Sequence, residues 1–431
     1  MSFLLSVFQA ICHILLATLV ALHPASAAKQ GDAVTASAET GGRVVLASMR
    51  APDTGYWHTN EARILDSWNR PVRIQGINWY GFETERGIVG GLTVQDYRTV
   101  LETIKRDGYN TIRLPFSNQM VESPIVPKDI AFTNADGTIN EDLRGLNSLQ
   151  VMDKVVDYAG AIGLKVILDD HRSEAGDSAE QSGLWYTPAY PESAWIADWQ
   201  MLAQRYKGNS TVVGMDLRNE PHGADAGGAC WDCGGERDWH LAAERAGNAI
   251  LKVNPKLIIF VEGTDTYNGD ATWWGGNLEG VRTSPVELSV PGQLVYSPHL
   301  YGPKTYRQPW FNAQTTPASL ASVWHKHWAY ISEFGIAPVW LGEFGTTNQP
   351  GDLEGSDPGT EGQWFGSLVV YLGRNPDIGW AFWALNGEDE NGLLDASYQF
   401  PVNGRKQQMM SSIMSGASVA AQEVAGVEPL R

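Results

Sequence analysis

The 431-residue chain is 43% hydrophobic, 10% aromatic with 17 Trp, and only 19% charged, which excludes a disordered chain. Its net charge of −18 argues against nucleic acid or an anionic membrane surface as partner and favours an uncharged ligand.

Residues 1–27 contain no Lys, Arg, Asp or Glu, and an apolar run from Leu4 to Leu22 precedes His23-Pro24 and Ala25-Ser26-Ala27. This is the pattern of a cleaved secretory signal with a weak charged start; the alternative is an uncleaved transmembrane anchor. Cleavage would leave a secreted protein, extracellular or periplasmic, with no further membrane segment. Residues 28–51 are rich in Ala, Gly, Ser and Thr without periodicity and read as a flexible leader. The folded domain is expected over 52–408, and 409–431 read as a Ser-, Ala- and Met-rich tail.

Two short β-like runs, Ala62–Asp66 and Val72–Gln75, flank Ser67-Trp-Asn-Arg-Pro71 and predict a hairpin at the entry to the domain. Eight apolar, β-branched runs follow: Arg73–Trp79, Asn110–Pro115, Lys165–His171, Val212–Glu220, Leu257–Gly263, Leu294–His299, Val339–Phe344 and Gly379–Asn386. Between them lie amphipathic stretches such as Thr93–Asp107, Leu149–Ile162, Glu192–Arg205, Asp238–Val253 and Glu361–Arg374. Continuous apolar strands alternating with helices predict a parallel sheet covered on both faces, and eight such units predict a single (β/α)8 TIM barrel of the α/β class with long βα loops. A doubly wound open sheet would be expected to carry a glycine-rich phosphate loop after its first strand, and Gly76-Ile-Asn-Trp-Tyr-Gly81 lacks that pattern.

In such a barrel the chemistry collects at the C-terminal ends of the strands. Those ends carry Asn78-Trp79, Arg113, Asp170-His171, Asn219-Glu220, Glu262, His299 with Tyr301, Glu343, and Trp383 with Asn386. The strand starts are mostly apolar or ordinary. Glu220 and Glu343, on opposing strands four and seven, suit hydrolysis of an acetal: one protonated carboxyl gives a proton to the leaving oxygen, and one carboxylate attacks carbon or activates water. Arg113 would keep Glu343 charged, whereas burial and nearby negative charge would favour a proton on Glu220. Tryptophans at the rim offer flat apolar faces to sugar rings.

Each residue also has an ordinary structural reading. Arg113 could be a buried ion pair, His171 and His299 core histidines, and Trp79, Trp274 and Trp383 plain core. Asp169 and Asp170 lack the spacing of a cation loop, so neither a metal nor another cofactor is expected. Cys230 and Cys233, in Cys-Trp-Asp-Cys, have no second pair to complete a zinc site. In an exported protein they read as a local disulfide pinning a loop beside the cleft.

Eight motifs in register carry a resemblance: Gly76–Thr84, Thr111–Pro115, His171-Arg172, Asp216–His222, Trp273–Leu278, Tyr296–Tyr301, Trp340–Thr346 and Trp380–Trp383. Together they closely resemble glycoside hydrolase family 5, and most of all its secreted bacterial endo-β-1,4-glucanases. The resemblance implies Glu220 as general acid/base and Glu343 as nucleophile of a retaining double displacement on cellulose or β-glucan. It implies that Asn219 holds the sugar 2-hydroxyl, Arg113 and Tyr301 orient Glu343, and His171 and His299 line the central subsite. It further implies Trp383 as the floor under the reacting sugar, with Trp79 and Trp274 as outer-subsite platforms. The Cys230–Cys233 pair also resembles a feature of the nearest bacterial members. A monomer is expected, and the absence of a binding module after the barrel puts attack on crystalline cellulose in doubt. An endo-β-mannanase or mixed-linkage glucanase on the same barrel is the alternative within enzymes, and a non-catalytic carbohydrate-binding barrel is the alternative outside them.

Overall fold

The computed structural model describes residues 55–414. The expected signal, the leader and all but the first residues of the expected tail lie outside the described residues. Among the described residues no helix is long and apolar enough to cross a membrane.

Eight parallel strands form the core: β1 (Gln75–Asn78), β2 (Thr111–Ser117), β3 (Lys165–Arg172), β4 (Val212–Asp216), β5 (Ile258–Val261), β6 (Leu294–Tyr296), β7 (Trp340–Phe344) and β8 (Gly379–Phe382). β8 pairs in parallel with both β1 and β7. The ring closes between β6 and β7 through the parallel bridges Tyr296–Val339 and His299–Glu343. The sequence rhythm therefore builds a closed barrel, as expected. Helices α1 (Tyr97–Arg106), α2 (Ser148–Ala161), α3 (Glu192–Arg205), α4 (Trp239–Val253), α5 (Pro317–Trp324) and α6 (Glu361–Arg374) lie between strands. No α-helix separates β5 from β6; a short hairpin, Thr266–Tyr267 with Asp270–Ala271, and a 3-10 turn at Glu279–Arg282 stand there instead.

Local chemistry fixes these limits. Asp96, Asn147, Asp238, Thr316 and Thr360 each cap a helix N-terminus by accepting from a backbone N–H in its first turn. Gly108 and Gly163, just past α1 and α2, take the left-handed φ of +97° and +78° that lets the chain turn back into the next strand.

Among the described residues apolar burial divides into two cores. The smaller gathers Ile74, Ile167, Val213, Ile258, Phe260, Val295, Trp340 and Ala381 with Trp57 and with Ile64 of the N-terminal sheet. That antiparallel sheet (His58–Asn60, Arg63–Leu65, Pro71–Val72) contains the expected hairpin, and its Ile64, with Trp57 just before its first strand, packs against barrel-strand residues. The larger core lies between strands and helices. After β8 the helix α7 (Gly404–Ser412) runs across residue 408, the expected end of the domain, with Met409 and Met410 buried.

Candidate active site

Arg113 on β2 is the centre of the rim. It is fully buried, and its fork is shared among β1, β3, β4, β5 and β7. Nε donates to Asp216 Oδ2 at 2.8 Å and Nη1 to Glu343 Oε1 at 2.6 Å and Asn78 Oδ1 at 3.1 Å. Nη2 donates to Asn219 Oδ1 at 3.0 Å, lies 2.9 Å from Asp169 Oδ1, and reaches Glu262 Oε1 at 3.3 Å. A planar guanidinium with five donors is the side chain able to organise so many acceptors at once.

Glu343 lies within β7 and is 4% exposed. Arg113 takes one of its oxygens; the Tyr301 hydroxyl donates to the other at 2.8 Å. Burial would raise this carboxyl, but the charges of His299, Arg113 and His171 and the Tyr301 bond outweigh it and hold Glu343 below the ordinary range.

Glu220 is placed differently. β4 ends at Asp216, not at Glu220 as expected, and Leu217–Glu220 run on beside their neighbours by Leu217 N–H to Phe260 O at 3.1 Å and Asn219 N–H to Asp170 O at 2.9 Å. Glu220 then adopts a φ of +52°, and its N–H donates to Glu262 Oε2 at 2.8 Å. A non-glycine residue in this left-handed region persists only where its surroundings enforce it.

His299 stands between the two glutamates, with Nδ1 3.3 Å from Glu220 Oε1 and 3.7 Å from Glu343 Oε2. Burial would lower its pKa, but Glu262 and Glu343 with the Glu220 contact drive it well above the usual histidine value. A carboxylate oxygen of Glu220, an oxygen of Glu343 and a ring nitrogen of His299 lie within 4.8 Å of one another.

This cluster stands on the rim of a closed barrel, and comparison with known proteins places the fold in a family. The sequence model of Cellulase (glycosyl hydrolase family 5) matches residues 66–389. The chain belongs to glycosyl hydrolase family 5. It is 46% identical to an endoglucanase of Paenibacillus polymyxa over 87% of this chain and 91% of that one. It is 36% identical to the major extracellular endoglucanase of Xanthomonas campestris, over 81% of this chain and 69% of the relative. Among solved structures it resembles an endocellulase of Pyrococcus horikoshii, crystallised with cellotetraose, at 34% identity and a TM-score of 0.75 over 85% of this chain and all of that one.

A family 5 chain is a glycoside hydrolase, and most of the residues expected to serve it converge. His171 is held by Asp169 Oδ2 at 2.8 Å from Nδ1 and stacks on Trp383, with ring centroids 5.5 Å apart. Trp383 stacks on its other neighbour Tyr80 at 5.2 Å, and its Nε1–H donates to Asp389 Oδ2 at 3.2 Å. Trp274 is 47% exposed and lies flat on His222 at 3.7 Å, a supported face open to a ligand. Cys230 and Cys233 form a disulfide.

Trp79 corrects an expectation. It is fully buried, donates to Gly90 O at 3.1 Å and belongs to the outer core, so it offers no face to a sugar. Alternation along the strand explains this: Asn78 meets Arg113 inside the barrel, which sends its neighbour outward beneath the helices. The strand-end pattern names Glu262 but gives it no role, and it passes over the work of Asp216, Tyr80 and His222. A role for Glu262 could have been suspected, since it is a carboxylate at the end of an otherwise apolar strand.

Proposed function

We propose that this protein is a secreted, retaining endo-β-1,4-glucanase that hydrolyses internal bonds of cellulose or soluble β-glucan. The observation that carries the reading is the pair of unequal glutamates, one fixed on both oxygens and one beyond its strand, that face each other across His299 on the rim. Glu343 is the nucleophile: ionised, buried and fixed on both oxygens, it attacks the anomeric carbon and forms a glycosyl-enzyme. Glu220 is the acid/base: it gives its proton to the leaving oxygen, then takes one from the water that releases the sugar. Asn219 holds the 2-hydroxyl, Arg113 and Tyr301 orient Glu343, His171 and His299 line the central subsite, Trp383 forms its floor, and Trp274 extends the binding track. The chemistry is complete without a cofactor.

The names of the Paenibacillus and Xanthomonas relatives support the glucan as substrate, and the cellotetraose complex of the Pyrococcus relative supports a chain of several sugars in the cleft. Secretion rests on the signal pattern at 1–27 and on the extracellular name of the Xanthomonas relative. The catalytic unit is taken as 52–408 extended by the rest of α7.

The test is a panel of initial rates on carboxymethyl cellulose, barley β-glucan, glucomannan and galactomannan, with Glu343→Gln as blank. The reading requires the glucans to lead. Fastest turnover of galactomannan would replace it with a mannanase, and tight binding without turnover with a retired barrel. Proton NMR of the first-formed reducing end should show the β anomer.

A further inference from the structure

Glu262 touches the holders of both glutamates yet cannot touch a ligand. It follows the last residue of β5, and its side chain is fully buried. Oε2 accepts the Glu220 N–H at 2.8 Å. Oε1 lies 3.1 Å from His299 Nε2 and accepts from Arg113 Nη2 at 3.3 Å. Glu262 and His299 thus face each other without solvent, burial raising the carboxyl and the neighbouring carboxylates raising the imidazole.

Two further features converge on the same oxygen. The backbone of Glu220 is left-handed, a conformation that strains a residue with a side chain, and its N–H meets Glu262. The loop after β5 is glycine where it passes over this contact. A Cβ at Gly275 would come within 2.0 Å of Glu262 Oε2 and 3.4 Å of Glu220 Cα. Gly275 itself sits at φ +69°, and its N–H donates to Pro221 O at 3.3 Å. The loop carrying Trp274 is therefore laid on the Glu262–Glu220 contact, and only a residue without a side chain fits there.

We propose that Glu262 is a positioning residue: its carboxyl clasps the Glu220 backbone in the left-handed turn, aims the acid/base at the leaving oxygen, and sets His299 between the two glutamates. The proposal rests on the reading of Glu220 as acid/base. A misplaced acid slows departure of a poor leaving group, which needs a proton, and spares a good one, which does not. Loss of general structure slows both alike.

The experiment compares kcat/KM, which reports the first bond cleavage, for phenyl β-cellobioside and 2,4-dinitrophenyl β-cellobioside. Glu262→Leu, which keeps the bulk and removes the acceptor, should lose up to about 100-fold on the phenyl substrate, the scale of a catalytic group displaced by about 1 Å, and stay within a fewfold on the dinitrophenyl one. Glu262→Gln, which restores an acceptor for the Glu220 N–H, should recover most of that loss. Equal losses on both substrates, or none on either, would overturn the proposal. Should Glu262→Leu not fold, Gly275→Ala reads the same ratio, because its methyl displaces the carboxyl from outside. Glu220→Gln runs alongside. If it lacks the leaving-group split, the acid/base assignment has failed and not the clasp.

Discussion

The rim of the barrel treats two glutamates in opposite ways. At the end of β7, Glu343 is part of the strand, nearly buried, and bonded on both oxygens by Arg113 and Tyr301. Beyond the end of β4, Glu220 leaves the strand in a left-handed turn; its side chain is partly exposed, and its carboxylate has one long contact, to His299 at 3.3 Å. The restraint on Glu220 falls on its backbone, through Glu262, while the carboxyl stays loose. A nucleophile attacks from one direction and must remain ionised, so rigid charged partners serve it. An acid/base gains and loses a proton in every turnover, so it needs a fixed pivot and access to water. One barrel supplies both environments because strand seven carries its residue in the ladder and strand four carries its residue beyond it.

The comparison breaks most directly at Glu343. Glu343→Gln should lower turnover of carboxymethyl cellulose by roughly 10⁴-fold or more while the circular dichroism spectrum is unchanged, since losing a covalent catalyst removes the route itself. Activity within tenfold of the parent would mean that Glu343 is not the nucleophile.

Tyr301→Phe is the next largest change, and it sharpens the claim that β7 keeps its carboxylate ionised. It removes one hydrogen bond to a charged group, about 1.5–3 kcal/mol, and so about 10- to 100-fold in kcat/KM. The pH dependence has a definite sign. As the proposed nucleophile Glu343 works ionised, and its pKa lies below the ordinary range, so activity should persist into acid and fail as pH falls through that value. Removing a donor to the ionised form raises the pKa, and the acid limb of kcat/KM should move to higher pH. An unmoved limb would show that Arg113 and His299 alone hold the charge.

Much of this contrast was legible in the chain. The eight apolar runs predict the eight strands because a doubly covered parallel sheet tolerates little else, and the polar residues at their ends predict one functional rim. Backbone conformation at a single residue was not legible: nothing in Asn219-Glu220-Pro221 distinguishes a strand end from a left-handed turn beyond one. Nor was the direction of a side chain next to a strand end. Trp79 and Trp274 look alike in sequence, yet one lies in the outer core and the other half in solvent on His222. Their variants should separate accordingly. Trp274→Ala should raise KM for β-glucan about 2- to 10-fold with kcat retained, the worth of one aromatic stacking contact. Trp79→Ala should instead leave a cavity and lower stability by about 3–5 kcal/mol in urea melts. A KM effect from Trp79→Ala without destabilisation would restore it as a platform.

The smallest effect asks whether the β4 side depends on a covalent staple. Cys230 and Cys233 close so short a loop that chain entropy alone assigns their disulfide only about 2 kcal/mol. The same loop is tied without it. The Asp238 carboxylate accepts from Gly234 N–H at 2.7 Å, Asp232 N–H at 3.2 Å and Leu241 N–H at 3.4 Å, and Arg237 Nη1 donates to Gly228 O at 2.9 Å. Trp231 and Trp239 are buried, and Trp239 Nε1–H reaches the carbonyl of Glu262 at 2.8 Å. The link from this loop to the acid/base therefore runs through a tryptophan and a backbone carbonyl, not through sulfur. Replacing both cysteines by serine should lower Tm by roughly 2–4 °C per kcal/mol lost while kcat/KM stays within about twofold. A tenfold fall in kcat/KM at unchanged Tm would instead make the disulfide part of what aims Glu220, and the pivot would then extend from Glu262 to the cysteines.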